Sequence, residues 1–337
     1  MLDAVPLVHI TRGPLVECVH RGHVAVVDHR GKRSSFAGSP DFVTYARSSA
    51  KLLQALPVIS SGAAANYRLT EEEIALLCAS HSGETGHVEG VSRMLAKIGL
   101  QADKLQCGAH APFHRPSADA MRARGEEPTV LHNNCSGKHT GMLALASHLG
   151  ASLDSYMDPG HPVQRTMLET FAAMAGCAPE DVLLGTDGCG VPVYGVPLWR
   201  IALAYARLGA PEGLPAGLAE ACRAVVRAVA ANPSAVAGSG RYDTALIRET
   251  GGRLIGKMGA EGVFAVSRPE TSEGLAVKIE DGAQRALYPA VTEALYQLGW
   301  LNAGETERLK GFHHTAVRNW SGAEIGQTVP VLRLERV

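Results

Sequence analysis

Residues 5–28 alternate apolar and polar positions with a period near two. The runs V-P-L-V-H-I-T-R-G, P-L-V-E-C-V-H-R-G and H-V-A-V-V-D-H-R-G each end at a glycine, Gly13, Gly22 and Gly31. This pattern predicts short strands joined as a hairpin or meander. From Ser48 to about Arg241 the apolar period lengthens to that of helices, over 49–60, 70–79, 87–98, 118–125, 137–149, 163–175, 197–208 and 217–231. Thr70 followed by Glu71, Glu72 and Glu73 marks a helix start, with acid in the first turn. After Arg241 alternation returns in R-L-I-G-K-M-G-A, E-G-V-F-A-V-S and G-L-A-V-K-I-E-D-G. A helix over 284–298 and a closing strand near V-P-V-L-R-L follow.

Strands at both ends with helices between predict an α/β fold. One antiparallel sheet is built from the two termini, and a large helical region is inserted into it. The expected division is 1–40 with 241–337 as the sheet domain and 41–240 as a mainly helical domain, with the active site between them. No internal repeat or low-complexity segment interrupts this plan.

The chain has 337 residues, a formal net charge of -1 and 19% charged residues without blocks. Nothing resembles the basic footprint of a nucleic-acid binder, and aromatics at 5% provide no base-stacking platform. A small-molecule partner is expected. The opening MLDAVPLVHITRG lacks a basic segment leading into an apolar one, so no signal peptide is expected, and no apolar run reaches membrane-spanning length. Seven cysteines, an odd number at irregular spacing, do not form a secreted disulfide framework. A reducing, cytoplasmic setting is the expectation.

The densest chemistry lies in H-N-N-C-S-G-K-H-T-G-M, residues 132–142, with a thiol (Cys135), an amine (Lys138) and an imidazole (His139). With a helix starting near Ser136, Lys138 and His139 lie about one turn beyond Cys135 and share its face. The plainer explanation is a polar turn before a core helix. Arg47-Ser48-Ser49-Ala50-Lys51 contains S-x-x-K at a helix start, where a desolvated lysine one turn from a hydroxyl can take its proton. That pattern alone is weak, and an N-cap serine with a surface lysine also explains it. Lys257 in I-G-K-M-G sits on a late strand, similar to the K-T-G strand of serine penicillin-binding enzymes. Ser80 in S-H-S-G offers a second hydroxyl just past a helix. The loop G-T-D-G-C-G-V-P, residues 185–192, presents Asp187 and Cys189. No C-x-x-C zinc spacing and no phosphate-binding glycine loop is present.

Taken together, R-S-S-A-K, C-A-S-H-S-G-E, N-N-C-S-G-K-H-T-G-M, G-T-D-G-C-G-V-P, G-R-Y-D-T and G-K-M-G-A-E-G-V-F, in this order, resemble the rhizobial-type (class 3, thermolabile-type) L-asparaginase II family. The resemblance covers most of the chain. It implies a fold like that of serine β-lactamases, penicillin-binding proteins and glutaminases, assembled as a homodimer. It also implies hydrolysis of L-asparagine to L-aspartate and ammonia. By motif, Ser48 corresponds to the nucleophile with Lys51 its neighbour, and Ser80 and Lys257 complete two Ser–Lys pairs. Cys135, Lys138 and Cys189 correspond to zinc ligands with water as the fourth. Arg47, His139 and Asp187 correspond to substrate-binding positions. One departure stands out: Asp243 in G-R-Y-D-T occupies a position where a member of the family carries a third cysteine.

The resulting expectation is acyl transfer, with Ser48 attacking the side-chain amide after losing its proton to Lys51. Sequence leaves open whether Ser48 or Ser80 is the nucleophile, and whether zinc is catalytic or structural. Two alternatives stay open: the same scaffold acting on another amide, such as glutamine or a β-lactam, and a zinc-binding or sensing protein without catalysis. Retention of both S-x-x-K and the late lysine strand argues against the second.

Overall fold

The structure, a computed structural model, describes residues 3–337. The chain divides into two compact units. The first comprises the chain up to Ser49, Gly195–Ala210 and Ala245–Val337, and the second comprises Ala50–Tyr194 and Pro211–Thr244.

The first unit is built on a nine-stranded sheet. Its strands run, across the sheet, Ala316–Arg318, Glu324–Pro330, Val5–Arg12, Leu15–Asp28, Glu273–Ile279, Val263–Arg268 and Ile255–Gly259. Arg33–Ala37 also pairs with Leu15–Asp28, and Glu335–Arg336 pairs with Arg33–Ala37. All these pairings are antiparallel. The strand nearest the N-terminus is therefore flanked by one strand from its own end and one from the C-terminal end, as the alternation at both ends predicts. The central strands do not keep an apolar-in, polar-out pattern: Val24, Ala25, Val26 and Val27 are all buried, as are Leu275, Ala276 and Val277. Consecutive burial requires cover on both faces. Helices Leu198–Gly209 and Gln284–Gln297 both pack on the sheet. The first approaches so closely that a side chain on Gly274 would overlap the Ala202 carbonyl.

Gly22 corrects one expectation. The chain does not turn there, because Leu15–Asp28 is a single strand pairing Val5–Arg12 through its first half and Glu273–Ile279 through its second. Its glycine answers a different need, since a Cβ there would overlap the Lys278 carbonyl oxygen of the neighbouring strand. Gly13 and Gly31 do sit in turns, with φ of +52° and +89°.

The second unit is helical. Glu71–Leu77 starts at a capping box in which the Thr70 hydroxyl accepts from the Glu73 N–H at 3.3 Å and the Glu73 carboxylate accepts from the Thr70 N–H at 2.8 Å. Helix Ser136–His148 is buried without interruption from Ser136 to Ala146. An all-round buried helix needs narrow flanks. A Cβ on Gly137 would overlap the Leu76 carbonyl, and one on Gly141 would stand 2.8 Å from Leu77 Cδ2. The glycines of G-K-H-T-G thus let this helix press against Glu71–Leu77 and carry its polar N-terminal residues into the interior. Helix Tyr242–Glu249, which starts in the second unit and whose residues from Ala245 on belong to the first, begins where the helical pattern was expected to end. Among the described residues no helix is long and apolar enough to cross a membrane.

Candidate active site

In the second unit the turn before Ser136–His148 is held by its own asparagines. Asn133 Oδ1 accepts from the Cys135 N–H at 2.8 Å, while its amide donates to the Cys107 carbonyl at 2.8 Å. The Asn134 N–H donates to His110 Nε2 at 3.0 Å. This fixes the backbone from which Cys135, Lys138 and His139 project. Opposite them, Cys189 follows strand Leu183–Thr186 in a turn closed by Gly190 N–H to Asp187 O and by Asp187 N–H to Val191 O, both 2.9 Å. Gly190 has a φ of +89°, a conformation that favours glycine.

Lys138 Nζ donates to Cys189 Sγ at 3.0 Å, and all three donors, Cys135, Lys138 and Cys189, are buried. The hydrogen bond from the Cys135 thiol, opposed by burial and reinforced by Lys138, holds the Cys189 thiol well below the ordinary thiol range. The same contact, with burial, pushes Cys135 up. Burial alone would lower the Lys138 amine, but Cys189, Cys135 and Asp187 together outweigh it and raise it. The cluster is thus a buried lysine–thiol contact with a second thiol beside it, Cys189 being the more acidic of the two sulfurs. Among the described residues no three His, Cys, Asp or Glu side chains gather as a metal site. A metal held here would draw on the lysine nitrogen together with the two sulfurs. Two sulfurs and an amine in mutual reach suit zinc, provided Lys138 gives up its proton on binding. The donor set fits.

Lys51, the first residue of helix Lys51–Gln54, is fully buried. Its Nζ donates to the Ala79 carbonyl at 2.8 Å and the Asn134 carbonyl at 3.3 Å, and lies 2.9 Å from Ser80 Oγ. Ser80 is anchored by its N–H to the Val236 carbonyl at 2.9 Å. Next to it, His81 Nδ1 accepts from the Gly83 N–H at 3.1 Å, and Nε2 meets Ser136 Oγ at 2.8 Å. Burial pushes the His81 imidazole well below its usual range. The neutral ring ties the Ser80 loop to the first turn of Ser136–His148.

His139 is fully buried, and its Nδ1 lies 2.8 Å from the Tyr156 hydroxyl. Burial first, then Lys138, lowers its imidazole to about 3. Asp187 is half-buried, with its carboxylate 3.9 Å from Cys189 Sγ. Asp243, which stands where a family member carries a cysteine, is buried in the first turn of Tyr242–Glu249.

In the first unit, Ser48 lies in the short helical turn Arg47–Ala50, entered through Arg47 with a φ of +49°. The turn is braced by Ser49 Oγ donating to the Ala46 carbonyl at 2.7 Å and by the Tyr205 hydroxyl donating to the Ser49 carbonyl at 2.7 Å. Strand Ile255–Gly259 runs close beside it: a Cβ on Gly259 would stand 2.7 Å from Ala46 O and 3.3 Å from the Ser49 nitrogen. Lys257 on that strand is fully buried, with Nζ donating to the Met258 carbonyl at 2.9 Å.

The second unit therefore gathers Lys51, Ser80, Cys135, Lys138, His139, Asp187 and Cys189, and the first holds Arg47, Ser48 and Lys257 on adjoining backbone. Three contributors carry no sequence signal of their own. Tyr156 and Tyr205 sit in unremarkable contexts, and Asn134 acts through its carbonyl, which every residue possesses.

The family model for L-asparaginase II matches residues 8–330. Among curated proteins none matches significantly. Among solved structures the chain is similar to a β-lactamase from Mycobacterium bovis, at 15% identity over 83% of this chain and 95% of that one, with a TM-score of 0.41. It is also similar to Mglu in its glutamate form, at 14% identity over 83% of this chain and 61% of that one, with a TM-score of 0.37. The family match spans the sheet strands, the buried Ser–Lys pair and the Cys–Lys–Cys cluster alike, and supports an amidohydrolase of the asparaginase type. The chain belongs to the L-asparaginase II family.

Proposed function

We propose that this protein hydrolyses the side-chain amide of L-asparagine to L-aspartate and ammonia through a serine acyl-enzyme. The observation that carries the reading is the buried contact of Lys51 with Ser80 in a chain matched by the asparaginase II family over 8–330. Two carbonyl oxygens, of Ala79 and Asn134, take two of the lysine hydrogens. A neutral amine has no further hydrogen, so its lone pair then faces the Ser80 hydroxyl. The arrangement suits proton exchange between the two.

Ser48 and Lys257 enter this reading by motif. Ser48 Oγ attacks the amide carbon, and its proton passes to Lys51 by way of the Ser80 hydroxyl. The C–N bond breaks as the nitrogen receives a proton and leaves as ammonia, with Ser80 relaying protons. Water then cleaves the ester and releases L-aspartate. Arg47 and Asp187 are assigned to the substrate's carboxylate and ammonium, and His139 to a polar contact beside them. Cys135, Lys138 and Cys189 would hold zinc, which would supply a Lewis-acidic contact for orienting the substrate. Assembly as a homodimer belongs to the same reading and predicts a light-scattering mass of twice the 35.5 kDa chain.

A second assignment is favoured by one specific contact. Ser80 is the hydroxyl observed against Lys51, so Ser80 itself is a candidate nucleophile. Mass spectrometry of the enzyme quenched during turnover separates the two. An acyl adduct on the peptide containing Ser48 supports the first assignment, and one on the Ser80 peptide supports the second. Loss of neither adduct nor turnover in the Ser48→Ala, Ser80→Ala double variant sinks the serine mechanism.

A further inference from the structure

The imidazole of His139 makes one hydrogen bond, through Nδ1 to the Tyr156 hydroxyl at 2.8 Å. That hydroxyl already accepts a second bond, from the Gln106 N–H at 2.9 Å. Both rings are fully buried and meet edge to face, 5.6 Å apart at 82°. Tyr156 is held from the other side by the Gln164 amide, which donates to its carbonyl at 2.8 Å. The remaining ring nitrogen, His139 Nε2, is buried and has no partner among the described residues.

Counting hydrogens decides the tautomer. A phenol has one O–H, and its oxygen here is already engaged as an acceptor from Gln106. If His139 carried its proton on Nδ1, that N–H would also point at the phenol oxygen. The buried Tyr156 O–H and the Nε2 lone pair would then both be stranded. If Tyr156 donates to Nδ1, the phenol is satisfied and one group is left over, an N–H on Nε2. Stranding two buried polar groups costs more than stranding one.

We propose that Tyr156 is a positioning residue that locks His139 as the Nε2–H tautomer, making Nε2 a donor for an oxygen of the bound substrate rather than a metal ligand. The substrate class is a small amino-acid amide with an anionic or carbonyl oxygen to offer. A neutral N–H donor gives a substrate oxygen a hydrogen bond without adding a charge to the site. The substrate half of this proposal rests on the amidohydrolase reading, and the tautomer half does not.

The test begins with the wild-type protein free of substrate. Long-range proton–nitrogen correlation on histidine-labelled protein, assigned by the loss of one signal set in His139→Gln, reads the tautomer directly. The expected result is an unprotonated Nδ1 and a protonated Nε2, and a protonated Nδ1 overturns the proposal. Titration with L-aspartate, the product of the proposed reaction, should move the His139 Nε2–H resonance saturably. Aspartate that perturbs other signals but not this one overturns the substrate contact. Tyr156→Phe should give mixed tautomers and raise KM for L-asparagine about tenfold, the worth of one buried hydrogen bond. His139→Gln, which keeps a donor near the Nε2 position, should recover turnover that His139→Leu loses. Equal KM values for wild type, Tyr156→Phe and His139→Leu overturn the proposal. If no variant or wild type releases ammonia from asparagine, the amidohydrolase reading fails while the tautomer result stands by itself.

Discussion

A buried lysine with two carbonyl acceptors has one direction left for chemistry, and at Lys51 that direction meets Ser80. Replacing Lys51 with Met keeps the length and removes the base. Turnover of L-asparagine should fall about a thousandfold, within the usual range for losing a general base. Steady-state ammonia release checks it, and a fall of less than about tenfold contradicts the role. Cys189 makes a parallel case. It contacts Lys138 at 3.0 Å, its thiol is held below the ordinary range, and in the proposed zinc site it is one of the two sulfur ligands. Cys189→Ala should weaken zinc retention by more than the roughly 10–100-fold that changes around a metal site cost. Competition with a chromogenic chelator reads this, and unchanged retention removes Cys189 from the ligand set. At this scale the sequence exposes the reactive side chains well, because thiols and amines in glycine-rich polar loops stand out from packing residues. It does not expose groups acting through a backbone carbonyl, such as Asn134, or through a tyrosine in an ordinary loop, such as Tyr156.

Glycines separate what periodicity shows from what it hides. Gly22 was expected to end a strand, yet the strand continues because the glycine accommodates the Lys278 carbonyl of its neighbour. The local pattern for a turn and for a close approach is the same, and only the partner strand distinguishes them. Gly259 combines packing and site geometry. Its missing side chain lets the Lys257 strand lie beside the Ser48 turn, with a built Cβ only 2.7 Å from Ala46 O. Gly259→Ala should cost about 1–3 kcal/mol of stability, as overpacking generally does, and should lower kcat by displacing the turn. Thermal melts and kinetics on the same samples test both. A variant with unchanged melting temperature and unchanged kcat shows that the strand and turn are not coupled. Elements with their own end signals were legible, and Glu71–Leu77 follows its Thr70–Glu73 capping box. Tyr242–Glu249 was not, since its polar first residues break the apolar period and its burial comes from the surrounding fold.

For the molecule as a whole, the α/β plan follows from alternation at both termini and helical periodicity between them. The interleaving of the two units does not, because Gly195–Ala210 joins the sheet unit from the middle of the helical stretch. That helix is apolar on a wide face and reads like its neighbours, so only tertiary packing reveals which surface it covers. Stability also carries a charge signature. Burial lowers the imidazoles of His23, His81 and His87 below their ordinary range, so the folded state takes up protons at lower pH than the unfolded chain does. Their contribution is fully present above about pH 6.5 and is lost as pH falls below that value, toward their folded-state range. The melting temperature should therefore be lower at pH 5.5 than at pH 7.5, and a higher value at pH 5.5 contradicts neutral burial. The central claim, a serine–lysine asparaginase, is tested most directly by ammonia release from L-asparagine by purified zinc-loaded protein, with Lys51→Met as its control. The account predicts release by the wild type that the variant lacks. No release by folded wild-type protein, or equal release by the variant, would contradict it.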